Sequence, residues 1–255
     1  MAKRIEDFKI IDNKRISNDF FILDLSAGNK LPDIKPGQFL QVRVDGSPET
    51  FLRRPISIHD VDYDNNAIKL LIQIAGKGTE TLSKLRKDDI LNIIYPLGNS
   101  FSVPGLKEKV LLVGGGCGIA PLLYLGKWLK SISITPDILL GFRNSERIIE
   151  YDEYLKIGKV FLTTEDGSKG EKGFVTAHSI LSTLKYDKIY CCGPDSMMKA
   201  VALYSRKNNI VCEVSLENLM ACGIGACLCC IIETVKGNLC TCIDGPVFNI
   251  NDLKW

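Results

Sequence analysis

The sequence predicts a multidomain β plus α/β protein: an antiparallel β-barrel over residues 1–103, a parallel α/β sheet over 104–213, and a small cysteine-rich domain over 214–255. Three observations predict this. Short β-type runs between turn signals fill the first stretch. Apolar strands alternating with helical segments fill the second. Six of the ten cysteines crowd between Cys222 and Cys242 in the third.

The barrel strands include Phe20–Leu23, Phe39–Val44 and Ile68–Ile74. The turns between them are Ala27-Gly28-Asn29, Lys35-Pro36-Gly37, Asp45-Gly46-Ser47-Pro48 and Asp64-Asn65-Asn66. Regularly spaced short strands of this kind build a barrel or sandwich. Thr79–Leu85 is expected as a short helix, with Thr79 or Ser83 as its N-terminal cap. From residue 108 the pattern changes. Val110–Val113 is a continuous apolar strand, followed by a glycine turn and a helix from Ala120 to Leu129. Ile138–Phe142, Lys159–Thr163 and Lys188–Cys192 follow as further strands, and strands alternating with helices argue for a parallel sheet.

Composition excludes several classes. Lysine plus arginine number 32 against 30 aspartate plus glutamate, too balanced for a strongly basic nucleic-acid binder. The uncharged run Val110–Gly126 is shorter than the roughly 20 residues of a spanning helix, and it holds five glycines and a proline. MAKRIEDFKI lacks an apolar export region. The expectation is a soluble cytoplasmic protein that binds neither membrane nor nucleic acid.

Cys222, Cys227 and Cys230 read C-x4-C-x2-C, the plant-type spacing for a [2Fe–2S] cluster. The small residues of ACGIGACLCC let the backbone wrap a compact inorganic core with its amides toward sulfur. Zinc sites usually show two C-x2-C pairs. Here one is clear, so iron–sulfur ranks ahead of zinc, and zinc ahead of free buried thiols. Cys240 and Cys242 both qualify as the fourth ligand. The Asp244-Gly245-Pro246 turn just after Cys242 favours that residue, and Cys229 is expected to be a bystander.

Other motifs carry the remaining chemistry. In Val113-Gly114-Gly115-Gly116-Cys117-Gly118-Ile119-Ala120-Pro121 a strand leads through glycines into a helix, where a pyrophosphate can approach backbone amides. An ordinary tight turn is the plain alternative. Cys192-Gly193-Pro194 ends another strand and could sit over a nicotinamide ring; Met197 and Met198 beyond it are expected in the core. Arg54-Pro55-Ile56-Ser57 could offer charge-assisted bonds to a phosphate. Ala75-Gly76-Lys77-Gly78-Thr79 could add a second phosphate contact or simply cap a helix. The only histidines, His59 and His178, are far apart, and no acid–base set stands out, so no catalytic side chain is assigned. That pattern suits a protein whose chemistry belongs to its cofactors.

Together these motifs resemble the ferredoxin–NADP reductase superfamily. Glu217-Asn218, ACGIGACLCC and CIDGPVF, with Arg53–Ile58, Gly76–Thr79 and Thr164–Ser168, resemble over almost the whole chain the iron–sulfur electron-transfer subunits of NAD-dependent dihydroorotate dehydrogenases. The resemblance implies FAD held by Arg54, Pro55, Ile56, Ser57, Leu71, Ile72, Gln73, Gly78 and Thr79. It implies NAD at Gly114, Gly115, Gly116, Gly118, Cys192, Gly193 and Pro194, and a [2Fe–2S] cluster on Cys222, Cys227, Cys230 and Cys242. It also implies an FMN-containing catalytic partner that oxidises dihydroorotate in pyrimidine biosynthesis, in a heterotetramer of two subunits of each kind. The family carries glycine where this chain has Cys229. Glu165 and Asp166 at a strand end would repel a 2′-phosphate and favour NAD over NADP; Arg143 on the neighbouring strand argues the other way. The alternatives are a flavin and iron–sulfur reductase subunit of another redox complex, and a zinc-stabilised nucleotide-binding module without redox activity.

Overall fold

Residues 3–255 are described by the computed structural model, and they divide into two compact units. The first comprises residues up to 100 together with 217–232 and 238–246; the second comprises 101–216, 233–237 and 247–255.

The first unit is built on an antiparallel sheet. Its strands are β1 (Arg4–Arg15), β2 (Phe20–Ala27), β3 (Phe39–Val42), β4 (Arg54–Ser57), β5 (Asp60–Asp62), β6 (Ala67–Gln73) and β7 (Ile90–Leu97), with helix α1 (Lys77–Leu82) before β7. They are ordered β4-β3-β7-β1-β2-β6-β5. The sheet curls until its two sides meet: β4 contacts β6, and the His59 amide just after β4 donates to the Lys69 carbonyl on β6 at 2.9 Å. β1 is the longest strand, yet its sequence RIEDFKIIDNKR is so polar that it escapes a hydrophobic-run search. Only Phe8 and Ile10 on it are buried, and pairing on both flanks makes it a strand. Phe8 packs edge-on against Tyr95 of β7, ring centres 4.9 Å apart.

The second unit holds a mostly parallel sheet. In chain order come β8 (Val110–Gly115), α2 (Ala120–Ser131), β9 (Asp137–Phe142), α3 (Tyr151–Leu155), β10 (Lys159–Thr164), β11 (Glu171–Lys172), α4 (Ile180–Thr183), β12 (Lys188–Cys192), α5 (Asp195–Lys207) and β13 (Val211–Ser215). After a two-stranded hairpin, β14 (Ile231–Thr234) with β15 (Gly237–Cys240), the strand β16 (Val247–Asn249) pairs antiparallel with β13. The order β11-β10-β9-β8-β12-β13-β16 places β8 and β12 side by side, with the chain winding away from them in opposite directions. That is a topological switch point, where an open α/β sheet leaves a crevice beyond its strand ends. Nearly every residue of α2 before Lys127 is buried, and Pro121 sits in its first turn, where a missing N–H costs nothing.

Glu6 on β1 accepts from the Tyr95 hydroxyl, and from the backbone and side-chain N–H groups of Asn29, each at 2.8 Å. Burial alone would raise its pKa; these bonds outweigh it and hold the carboxyl below its usual value of 4.5. A group with a depressed folded-state pKa adds stability above its unfolded pKa and loses it as the pH falls through the folded value. Glu6→Gln is therefore expected to lower the urea midpoint at pH 7 and to flatten its decline between about pH 5 and pH 3. Urea titrations of both proteins at the two ends of that range check it.

Candidate functional site

The residues expected to hold FAD converge in the first unit. β4 carries Arg54, Pro55, Ile56 and Ser57 as an edge strand, all half-buried, and an edge is where a strand tolerates proline. Leu71, Ile72 and Gln73 lie on β6, which β4 contacts. The Arg54 side chain forms no hydrogen bond or ion pair with the described residues, and its Nε lies 3.1 Å from where a Cβ on Gly78 would sit. Its neighbour Arg53 is occupied: its guanidinium donates to the Asn92 carbonyl at 3.0 Å and to the Asn92 side chain. A half-buried guanidinium without a carboxylate partner suits a phosphate. The Thr79 hydroxyl accepts from the amides of Ala75 (2.9 Å) and Gly76 (3.3 Å), capping α1 from its third position. Gly76 is the N-cap and Ser83 stands at the opposite, C-terminal end, so the expected N-cap position of Thr79 or Ser83 is corrected.

The two glycine turns expected to hold NAD meet at the switch point. β8 delivers Gly114, Gly115, Gly116 and Gly118; β12 delivers Cys192, Gly193 and Pro194, with Cys192 paired to Gly114. A Cβ on Gly118 would lie 2.4 Å from the backbone of Gly193, so only hydrogen fits there. Met197 is half-buried and its sulfur lies 2.5 Å from a Cβ position on Gly115, so it covers the turns, whereas Met198 is core as expected. Asp166 closes its own turn, accepting from the amide and hydroxyl of Ser168 at 2.9 and 2.6 Å. Glu165 beside it is exposed. His178 Nδ1 accepts from the Ile180 amide at 3.0 Å, the local role expected of it.

The cysteine segment belongs to the first unit. Cys222 Sγ accepts from the amides of Ala226 (3.3 Å), Cys227 (3.4 Å) and Ile224 (3.5 Å). Burial would raise the Cys222 pKa, but those amides and the Cys227 thiol bring it down to about 6. This is the wrapping that the small residues of ACGIGACLCC predict. Cys230, Cys240 and Cys242 are buried with Phe39, Leu97 and Met220. Cys240 and Cys242, two apart in sequence, both interact with the Cys230 thiol, and burial followed by Cys230 pushes the Cys242 pKa up to about 12. The Gly225 amide offsets part of that rise. The backbone of Cys240 is held by Asp244, whose Oδ2 accepts its N–H at 2.7 Å. Cys229 is exposed.

The turn after Cys242 is anchored. The Asn99 amide donates to the Gly245 carbonyl at 2.6 Å, and Asn99 Nδ2 donates to the Asp244 carbonyl at 2.7 Å. The Cys230 carbonyl accepts from the Thr241 amide and hydroxyl, each at 3.0 Å, and from Asn218 Nδ2 at 3.2 Å. Asn218 is thus a structural tie that spacing alone does not reveal. Among the described residues no three thiol, imidazole or carboxylate groups converge as ligands of a single ion. A [2Fe–2S] cluster shares four thiolates between two irons. An all-thiol set with backbone amides aimed at sulfur fits that group.

Comparison with known proteins agrees with this geometry. Residues 7–101 match the oxidoreductase FAD-binding domain, and residues 217–254 match the iron–sulfur cluster binding domain of dihydroorotate dehydrogenase B. The second match replaces the zinc alternative with an iron–sulfur assignment. The chain is 42% identical to the dihydroorotate dehydrogenase B (NAD(+)) electron transfer subunit of Caldanaerobacter subterraneus, covering 94% of each. It is 37% identical to that of Fusobacterium nucleatum, covering 98% of this chain and 99% of the relative. Among solved structures it is similar to an NADH-dependent reduced ferredoxin–NADP oxidoreductase (TM-score 0.87, 31% identity, 97% of this chain and 90% of the other). The ferredoxin reductase of carbazole 1,9a-dioxygenase, at 18% identity and a TM-score of 0.70 over 82% of this chain and 67% of the other, shares the fold.

Gly118→Ala forces a methyl group into the Gly193 backbone. Overpacking of this kind costs about 1–3 kcal/mol, so the thermal midpoint of the variant is expected to fall by several degrees in calorimetry.

Proposed function

This chain belongs to the family of electron transfer subunits of dihydroorotate dehydrogenase B (NAD(+)), and from that membership we propose that it accepts electrons from an FMN-containing catalytic subunit that oxidises dihydroorotate and delivers them to NAD⁺ in pyrimidine biosynthesis. The observation that carries this reading is the seating of the cysteine segment on the unit that bears the flavin strand. Phe39 of β3 packs against Cys230, Cys240 and Cys242, and β3 is hydrogen-bonded to β4, which carries Arg54–Ser57.

When bound, the cluster supplies one-electron exchange, the flavin converts between single electrons and a hydride, and the nicotinamide takes the hydride. The chain's own residues bind and orient. Arg54 would neutralise phosphate charge on FAD, with Pro55, Ile56, Ser57, Leu71, Ile72, Gln73, Gly78 and Thr79 shaping the rest of the site. Gly114, Gly115, Gly116 and Gly118, with Cys192, Gly193 and Pro194, would receive the dinucleotide in the crevice at the switch point. Glu165 favours NAD by repelling a 2′-phosphate. Cys222, Cys227, Cys230 and Cys242 would hold the irons. The Asp244-Gly245-Pro246 turn that follows Cys242 favours it over Cys240, and Cys229 stays outside the set because using it would break the C-x2-C spacing. No side chain is assigned acid–base work.

On this reading the functional segments are 1–103 for FAD, 104–213 for NAD and 214–255 for the cluster, and the subunit joins its partner two plus two in the cytoplasm. Among the described residues no helix is long and apolar enough to cross a membrane. A second reading, a reductase subunit of another redox complex, is favoured by the similarity to the NADH-dependent ferredoxin–NADP oxidoreductase.

The deciding experiment reconstitutes the chain with its catalytic subunit and measures dihydroorotate-dependent NAD⁺ reduction. Full NADH turnover with another acceptor, without any dependence on dihydroorotate, overturns the first reading in favour of the second. In the same system Cys222→Ala and Cys242→Ser are expected to lose iron, acid-labile sulfide and coupled turnover, while Cys240→Ser and Cys229→Ser keep all three. Arg54→Ala removes one or more charge-assisted bonds, each worth about 1.5–3 kcal/mol. FAD affinity, measured by fluorescence titration, is expected to fall by at least about tenfold.

A further inference from the structure

We propose that Gln41 donates a hydrogen bond to the sulfur atoms of the iron–sulfur cluster and thereby sets its reduction potential. The proposal rests on the reading above that the C-terminal cysteines carry a two-iron cluster.

β3 reads Phe39-Leu40-Gln41-Val42, and Gln41 is its single polar residue. The side chain is completely buried, yet neither Nε2 nor Oε1 has a hydrogen-bond partner. A buried polar group left unpaired costs about 1–3 kcal/mol. Leucine would fill the same space at no such cost, so the carboxamide points to a partner outside the polypeptide.

Its position names that partner. Side chains two apart on a strand share a face, so Gln41 points the same way as Phe39, which packs against Cys230, Cys240 and Cys242. Ile94, opposite Gln41 on β7, packs against the buried group of side chains that includes these cysteines. The carboxamide also presses on the ligand loop itself. A Cβ on Gly223, the residue after Cys222, would lie 2.4 Å from Gln41 Nε2 and 2.6 Å from its Cδ. Gly223 has φ +67°, so both the backbone and the space demand glycine there. The loop thus yields its side-chain volume to the amide of Gln41.

The chemistry is directional. Thiolates and sulfides offer lone pairs only, and a carboxamide nitrogen offers two N–H donors. A donor aimed at cluster sulfur stabilises the reduced state, which carries the extra negative charge, and hydrogen bonds to the sulfurs are among the factors that set such potentials. Gln41 is therefore a tuning residue. Flavin is the competing partner, because Pro55 stands opposite Gln41 on β4.

The test is an EPR-monitored redox titration of the reconstituted complex, with the flavin potential followed by absorbance in the same samples. In Gln41→Leu the iron and sulfide content is expected to stay at the wild-type level. The cluster midpoint is expected to fall by about tenfold in the reduction equilibrium, which is about 59 mV for one electron. An unchanged cluster midpoint in a fully loaded variant overturns the proposal, as does a shift confined to the flavin. Gln41→Met, also without a donor, is expected to behave like Gln41→Leu. Should neither variant load its cluster, the wild-type protein decides. Pulsed EPR of the reduced complex with side-chain ¹⁵N-labelled glutamine is expected to show a nitrogen coupling to the cluster, and its absence overturns the proposal. Wild-type protein without iron and acid-labile sulfide would instead overturn the underlying cluster reading, an outcome separately visible by metal analysis.

Discussion

The structure depends on the docking of the C-terminal cysteine segment against Phe39 of β3 and Leu97 of β7. A loop rich in glycine and alanine has little apolar surface of its own to hold it in place. It is fixed from outside by three donors on the Cys230 carbonyl, by Asn99 on the turn beyond Cys242, and by Phe39 and Leu97 packed on the buried thiols. Those ties let the amides after Cys222 all point at one sulfur. Preorganised amides lower the cost of gathering negative thiolates. The same docking brings the metal-binding segment next to the strand that neighbours the flavin motif.

The second unit solves a different problem with equal economy. On the proposed reading the two turns at the switch point receive a dinucleotide, whose phosphates need backbone close by. The turns approach each other at Gly118 and Gly193, where a single added carbon would collide. The helix that follows β8 is buried almost all round, so the turn rides on a rigid support rather than a mobile loop.

Much of this was legible from residue types. The apolar runs of β6, β8, β9, β10 and β12 marked strands to within a residue or two, because buried strands are rich in continuous hydrophobic residues, whereas β2 runs four residues beyond the expected Phe20–Leu23. The cysteine spacing named the metal because C-x4-C-x2-C measures the separation of ligands around one cluster. What stayed hidden was set by tertiary pairing. β1 is polar because most of its side chains face solvent while its backbone bonds on both edges. Spacing alone could not choose between Cys240 and Cys242, since both are buried and both interact with Cys230. The occupation of Thr79 in capping, and of Asp166 in its own turn, likewise depended on hydrogen bonds that short motifs do not encode. Gln41 left one faint trace, a lone amide inside an otherwise apolar strand.

The path of the chain has a consequence for biogenesis. Residues 217–232 and 238–246 complete a unit whose remainder is residues up to 100, with more than a hundred residues of the other unit synthesised in between. On the ribosome the N-terminal sheet emerges long before the segment that covers Phe39 and Leu97. Until that segment appears the apolar surface waits uncovered, and the last thiols to reach it are Cys240 and Cys242. Loading of the thiols between Cys222 and Cys242 with iron consequently has to follow the synthesis of residues 101–216.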